Sequence, residues 1–222
     1  MNNIKILYSL ASRSRPEKLI GCIENIIGLS KHDNYIILLT LDVDDVTVAN
    51  KDFNDKLKSY GEKVKPVYQF SKNKIDAINK NIWMVPDADI ICNHSDDMFF
   101  IKEGFDLDIL EAFDNFDGLV HFPDQIQNRL ITYAMMSKSY YDIDGYIYHP
   151  DFFSVYADNF QQDVAVSRGK YKLVNKNILE HRHFTWGYGV KDELLLQTEN
   201  PNVYEMDRLT YSRLKLENIF NT

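Results

Sequence analysis

Asp96 and Asp97 stand side by side at the end of a short apolar run, Asp89-Ile-Ile-Cys-Asn-His-Ser-Asp-Asp-Met98. Ile90, Ile91 and Cys92 read as a buried strand, so both carboxylates fall where that strand stops. Ligands of open α/β sheets sit beyond the carboxyl ends of the strands, and a hard cation takes oxygen ligands. A second constellation lies far downstream. His181 and His183 are two residues apart, so on an extended segment both rings point to one side, and neutral imidazole suits Mn2+ well enough to supplement a carboxylate. Each feature also has a plain structural reading: an Asp-rich turn after a strand and a polar surface pair of histidines.

The elements that must position these groups alternate. Apolar runs at 4–10, 35–41, 64–70 and from Ile90 read as short strands buried on both faces, the signature of a parallel sheet covered by helices. Between them, Leu19, Ile20, Ile23, Ile26 and Ile27 recur at helical spacing behind Pro16, a residue suited to a first turn. A polar helix is expected over 52–60 with Gly61 as its stop, and another over 73–83 with Ile75, Ile78, Ile82 and Trp83 inward. The order is β-α-β-α-β-α-β, and its polar clusters fall at three strand ends: 9–15, 42–45 and 95–97. Asp44 and Asp45 read as solvated loop acids, and His94 and His149 as hydrogen-bonded loop residues. The second half is less regular. It offers a helix over 104–116, strands over 118–122 and 132–137, a segment over 140–148 containing Gly145, and a helix beginning near Asp158. A strand follows over 171–175, then an extended stretch over 178–183. An aromatic loop over 184–189 carries Trp186, Tyr188 and Gly189 and is positioned to close over a ligand. The tail from Lys191 reads as an amphipathic helix interrupted by Pro201.

Composition narrows the classes. The chain has 222 residues, 45% of them hydrophobic, which suits one α/β domain with a sizeable core. A net charge of −8 argues against coating nucleic acid. The two cysteines, Cys22 and Cys92, fall in a helix and a buried strand and read as reduced core thiols. No run is long and apolar enough to span a bilayer, and the first residues lack a secretory pattern, so a cytoplasmic protein is expected.

Taken in order, these segments resemble the nucleotide-sugar glycosyltransferases of the GT-A fold, closest to family-2-like members. The resemblance covers 4–208. It rests on a first strand running into Ser12-Arg-Ser-Arg-Pro16, a second strand ending at Asp42, Lys72-Asn-Lys-Ile-Asp-Ala-Ile-Asn79, the DxD-like element at 89–98, Asp158 and His181-Arg-His183. It implies a single α/β domain with a mostly parallel Rossmann-like sheet, helices on both faces and a smaller acceptor-side part. The nucleotide-sugar half would be 1–98 and the acceptor and catalytic half 99–222. By the same resemblance Asp97 is the direct ligand of Mn2+ or Mg2+, Asp96 contacts ribose or the donor sugar, and one late histidine completes the metal shell, His183 ahead of His181. Ser12 belongs to the donor-binding stretch. Asp42 accepts from the base or ribose, and Arg13, Arg15 and Lys74 reach the base or diphosphate of a donor expected to be UDP-linked. Asp158 becomes the base that takes the acceptor proton in an inverting transfer, kept ionised by a helix N-terminus. As an N-cap it would have a purely structural role, and Asp151 and Asp163 are the fallback bases. Ser95 departs from a strict D-x-D, leaving the division of labour between Asp96 and Asp97 open.

Two other functions fit parts of the pattern. A metal-dependent phosphohydrolase or nuclease could use the Asp pair and His-x-His but leaves the Arg-x-Arg-Pro stretch unexplained. A non-catalytic sugar-nucleotide-binding module would tolerate the missing first acid. The acceptor hydroxyl is not written in the residues: a glycan, a lipid-linked sugar, a protein and a modified DNA base all remain open.

Overall fold

The computed structural model describes residues 3–125, 129–184, 187–188 and 192–217. In chain order the first half runs β1 (Ile6–Ser12), α1 (Pro16–Leu29), β2 (Tyr35–Asp42), α2 (Lys51–Lys58), β3 (Val64–Gln69), α3 (Lys74–Asn79), β4 (Ile90–His94) and β5 (Met98–Phe100). The second half runs α4 (Phe105–Phe113), β6 (Leu119–His121), β7 (Met135–Ser137), α5 (Lys138–Asp144), α6 (Ala157–Ser167), β8 (Tyr171–Leu173), β9 (Leu179–His181), α7 (Glu193–Thr198) and α8 (Pro201–Leu216).

Seven strands form one sheet in the order β3-β2-β1-β4-β7-β6-β8. The first four are mutually parallel, β7 is antiparallel to both β4 and β6, and β8 returns parallel to β6. The chain moves outward from β1 to β3 and then crosses to the other side of β1 for β4. That reversal opens a crevice beyond the carboxyl ends of β1 and β4, where Ser12 and the Asp96–Asp97 turn sit.

Strand periodicity explains the two-sided core. Tyr8 and Leu10 face one apolar layer with Leu19, Cys22, Ile23 and Ile26 of α1, while Leu7 faces a second with Leu38, Ile75, Ile78 and Ile91. Pro16 takes the first turn of α1 as expected, and the side chains of Asn50 and Asn73 cap α2 and α3 by accepting from Phe53 N and Asp76 N. Both cysteines are buried free thiols.

The structure departs from the sequence reading at several places. The helix expected over 73–83 stops at Asn79. Asn81 takes a left-handed φ of 68° and donates to the Thr40 hydroxyl at 3.0 Å, and Ile82–Met84 is a 3-10 turn. That turn rotates Trp83 outward, to 75% exposure, although Ile82 stays inside. The third strand, β3, lies at the sheet edge and is mostly half-exposed rather than buried on both faces. Asp45 is a buried acid, accepting from Ser14 N, Thr47 N and the Thr47 hydroxyl, not a solvated one. Near the carboxyl end of the chain, the helical tail is interrupted where the sequence reading puts the break: α7 ends at Thr198 and Pro201 opens α8 at its first position. His94 is the last residue of β4 rather than a loop residue, with its Nδ1 2.7 Å from the Tyr133 hydroxyl.

Candidate active site

One cavity of about 760 Å³ opens at the carboxyl ends of the parallel strands. Ser12, Arg13, Arg15, Asp42, Lys74, Asp96, Asp97, Asp158, His181 and His183, the ten residues singled out above, all line it. The residues following β1 supply the arginines, β2 ends in Asp42, α3 begins with Lys74, and the turn between β4 and β5 carries the aspartate pair. Asp158 arrives on the first turn of α6 and the histidines arrive with β9.

The two adjacent aspartates have different surroundings. Asp96 is held on both oxygens: the Ser12 hydroxyl donates to Oδ2 at 2.6 Å and Arg15 Nη1 donates to Oδ1 at 3.0 Å. Burial pushes its carboxyl up while Arg15 pulls the other way, and the net direction is upward. Arg15 is itself gripped by Asp192, which accepts from Nε and Nη2 at 2.7 and 2.8 Å. This arginine therefore ties the aspartate turn to the start of α7. Arg13 is spent similarly, donating to Asp42 at 2.8 Å and to Asp44 at 2.7 and 3.0 Å. Asp42 keeps its second oxygen, Oδ1, buried and without a partner among the described residues.

Asp97 presents the other kind of surface. Its Oδ1 is buried with no hydrogen-bond partner among the described residues, an orphaned carboxylate oxygen in the cavity wall. Antiparallel pairing of β5 with β9 sets Met98 opposite His181, and Arg182 N donates to the Asp97 carbonyl at 2.7 Å. His181 Nε2 thus lies 3.5 Å from Asp97 Oδ2 and its Nδ1 3.4 Å from Asp124 Oδ2. Burial pulls the imidazolium down, but Asp124 and Asp97 outweigh it and hold His181 up at about 9. Burial would raise Asp97, yet His181, Ser95 and Lys74 hold it well below the usual carboxylate range. His183 faces Glu199, 3.7 Å from Oε2, so His181 rather than His183 is the ring beside Asp97.

Among the described residues no group of three or more His, Cys, Asp and Glu side chains is arranged to hold a metal ion. The donor chemistry nevertheless fits a divalent cation with part of its shell supplied from elsewhere. An ionised carboxylate with one oxygen orphaned stands next to His181, whose far nitrogen faces a second carboxylate, the usual support of a metal-binding histidine; a cation bound there would displace the ring's second proton.

Asp158, also in the cavity lining, is half-buried and occupies the second position of α6, not the N-cap. The N-cap is Tyr156, in a left-handed backbone conformation with φ 60°. Asn159 N donates to Asp158 Oδ1 at 2.8 Å. Burial pushes the Asp158 carboxyl up, opposed by that N–H and by the Lys74 charge, and burial wins. The Asn159 N–H favours the ionised form that the sequence reading expects of this acid, burial works against it, and a carboxyl so raised is a stronger base once ionised. Lys74 is exposed and exerts its charge on Asp97, Asp158 and Glu199 alike. Asp151 and Asp163 do not line the cavity. Asp151 pairs with Arg213 at 2.5 Å, and Asp163 accepts from the Tyr211 hydroxyl and Lys215. Trp186 and Gly189 lie outside the described residues. Tyr188 donates to Glu180 at 2.7 Å.

Several lining residues had no sequence signal of their own. Asp124, Glu199 and Tyr148 come to the cavity from segments distant in sequence from the aspartate pair, and Asn93 lies on β4 just before it. An isolated Asp after a strand, or a Glu between helices, looks the same whether it faces a ligand or solvent.

No family model and no curated protein matches the sequence. Solved structures do match the fold. A mannosyltransferase from Pyrobaculum calidifontis, in complex with GDP-Man and Mn2+, aligns over 96% of this chain and 75% of its own, with a TM-score of 0.60 and 10% identity. Glucosyl-3-phosphoglycerate synthase from Mycobacterium tuberculosis, with Mn2+, UDP and phosphoglyceric acid, aligns over 94% and 78%, with a TM-score of 0.61 and 12% identity. A 4-diphosphocytidyl-2C-methyl-D-erythritol synthase from Anaerococcus prevotii aligns over 94% and 97%, with a TM-score of 0.57 and 14% identity. The chain has the GT-A-like α/β fold that the resemblance implied.

Proposed function

We propose that this chain is a metal-dependent glycosyltransferase. It moves a sugar from a nucleoside-diphosphate sugar, UDP-linked in our reading, to a hydroxyl acceptor with inversion at the anomeric carbon. Residues up to 98 carry the donor side, and 99–222 supply the acceptor side and the base. The observation that carries this reading is the presence, in one cavity, of the orphaned Asp97 oxygen and the burial-raised Asp158 carboxyl.

Each residue has a task in this scheme. The free Oδ1 of Asp42 accepts an imide or ribose hydrogen, which suits uracil. Lys74 neutralises part of the diphosphate. Asp96, fixed by Ser12 and Arg15, holds the turn in shape and offers its remaining lone pairs to ribose or sugar hydroxyls. Asp97 and His181, with His183 behind them, would hold Mn2+ or Mg2+, and Asp124 orients the His181 ring. When bound, that cation neutralises charge on the departing diphosphate. Asp158, ionised, takes the proton of the acceptor hydroxyl as its oxygen bonds to the anomeric carbon. The bond from that carbon to the diphosphate oxygen breaks, and the diphosphate leaves with the electron pair. Phosphohydrolysis through several bridging carboxylates would call for a denser ligand cluster than Asp97 and His181.

Thermal denaturation tests the donor class. UDP and Mn2+ together should raise the Tm more than either alone, by linkage of binding to folding. No response to any nucleoside diphosphate would sink the proposal. Among the described residues no helix is long and apolar enough to cross a membrane.

A further inference from the structure

Two polar side chains in the same cavity have no part in the scheme above. Asn93 of β4 is 8% exposed and Tyr148, between α5 and α6, is 5% exposed, and both line the cavity. Asn93 Nδ2 donates to the Tyr148 hydroxyl oxygen at 3.4 Å, while Asn93 Oδ1 is buried without a partner among the described residues. The pair leaves an amide oxygen able only to accept and a phenol whose proton is not spent on Asn93. A buried amide oxygen is costly unless something donates to it.

The tyrosine is also held as part of a site. Asn79, the last residue of α3, accepts from Ile147 N and Tyr148 N at 3.0 and 3.1 Å and donates to the Tyr148 carbonyl at 2.7 Å. Three hydrogen bonds from the helix that begins with Lys74 therefore fix the backbone of Ile147 and Tyr148, the latter 69 positions away. Burial and the nearby Asp158 charge push the Tyr148 phenol up, so it keeps its proton and acts as a donor.

We infer that Asn93 and Tyr148 form a subsite for one hydroxyl of the sugar ring being transferred. Asn93 Oδ1 accepts from that hydroxyl and the Tyr148 hydroxyl donates to its oxygen. A single sugar hydroxyl, donor and acceptor at once, satisfies both groups, and a site built this way rejects an analogue lacking it. Asn79 is the positioning residue. This subsite rests on the nucleotide-sugar reading, and its test separates the two.

Calorimetric titration with Mn2+ present compares UDP with UDP-glucose and GDP with GDP-mannose on the wild type, Asn93→Ala and Tyr148→Phe. For whichever nucleotide sugar the wild type binds, each variant should lose about tenfold or more in affinity, while affinity for the matching free diphosphate is kept. Tyr148→Phe retains the ring and the Asn79 clamp, so it carries the test if Asn93→Ala fails to fold. Equal losses for sugar nucleotide and free diphosphate, or no loss for either, overturn the subsite. A wild type that binds diphosphates but no sugar nucleotide in the set also overturns it. A wild type that binds no diphosphate overturns the underlying reading and the subsite with it.

Discussion

His181 Nε2 lies 3.5 Å from Asp97 Oδ2, a meeting produced by the pairing of β5 with β9. Asp124 closes on the other ring nitrogen at 3.4 Å, so the imidazole is fixed from both sides. Replacing Asp97 by Ala should abolish metal-dependent turnover. Replacing His181 by Ala should reduce it or the Mn2+ affinity by roughly 10- to 100-fold, the range for groups that hold or support a metal ligand. Titrating Mn2+ against initial rate checks both. Unchanged Mn2+ dependence in His181→Ala would remove this histidine from the metal-binding role.

Asp158 lines the same cavity, with its carboxyl raised by burial. Asp158→Asn keeps the shape and the Asn159 contact but cannot take a proton. Its kcat for transfer should fall by roughly 10²- to 10⁴-fold, the usual worth of a general base, with donor affinity retained. Steady-state kinetics with donor and acceptor varied separately reads this out. A parallel fall in donor affinity would point to a binding role instead.

Much of this arrangement could be read from residue order alone, and the reason is local. Strands β1, β2 and β4 carry largely apolar runs, and their polar ends fall at one sheet edge whatever the details of packing. Asp96 and Asp97 announce themselves as neighbours. What decides between them is long-range: Ser12 and Arg15 occupy Asp96, whereas His181 arrives through a two-stranded ribbon that no local pattern encodes. Trp83 was misplaced for a similar reason. Periodicity continued through Lys80, but Asn81 could take a left-handed turn and bond Thr40, and that ended the helix. Asp124 and Asn93 stayed hidden because their partners, His181 and Tyr148, are 57 and 55 residues away in sequence.

Asp207, fully buried on α8, accepts from three successive backbone N–H groups, Phe153, Ser154 and Val155, each at 2.8 Å. These bonds seat the segment that delivers Tyr156 and Asp158. Asp207→Ala strands all three donors and should destabilise the fold by ~3 kcal/mol or more, given the cost of unsatisfied buried donors. Urea denaturation measures this. A loss near zero would mean that the segment is held by other contacts.

Asp117 offers a pH signature away from the cavity. It accepts from the hydroxyls of Ser137 and Ser139 at 2.6 and 2.5 Å and from Lys170 at 2.9 Å, which together lower its carboxyl to about 2. The unfolded-chain value is about 3.9, so the folded state binds this proton less readily. The stabilisation is present above about pH 4 and is lost as pH falls through about 2. Asp117→Asn should therefore be less stable than wild type at neutral pH, with the gap closing on acidification through that window. Denaturation midpoints across the range test it, and a gap independent of pH would contradict it. The side chain is 46% exposed, so solvent screening keeps the effect modest.

The most direct test of the central claim is release of free nucleoside diphosphate from a panel of nucleotide sugars with Mn2+, wild type against Asp97→Ala. The account predicts metal-dependent cleavage of at least one nucleotide sugar by the wild type and its loss in the variant. No cleavage of any donor by the folded wild type, or cleavage that survives Asp97→Ala, would contradict it.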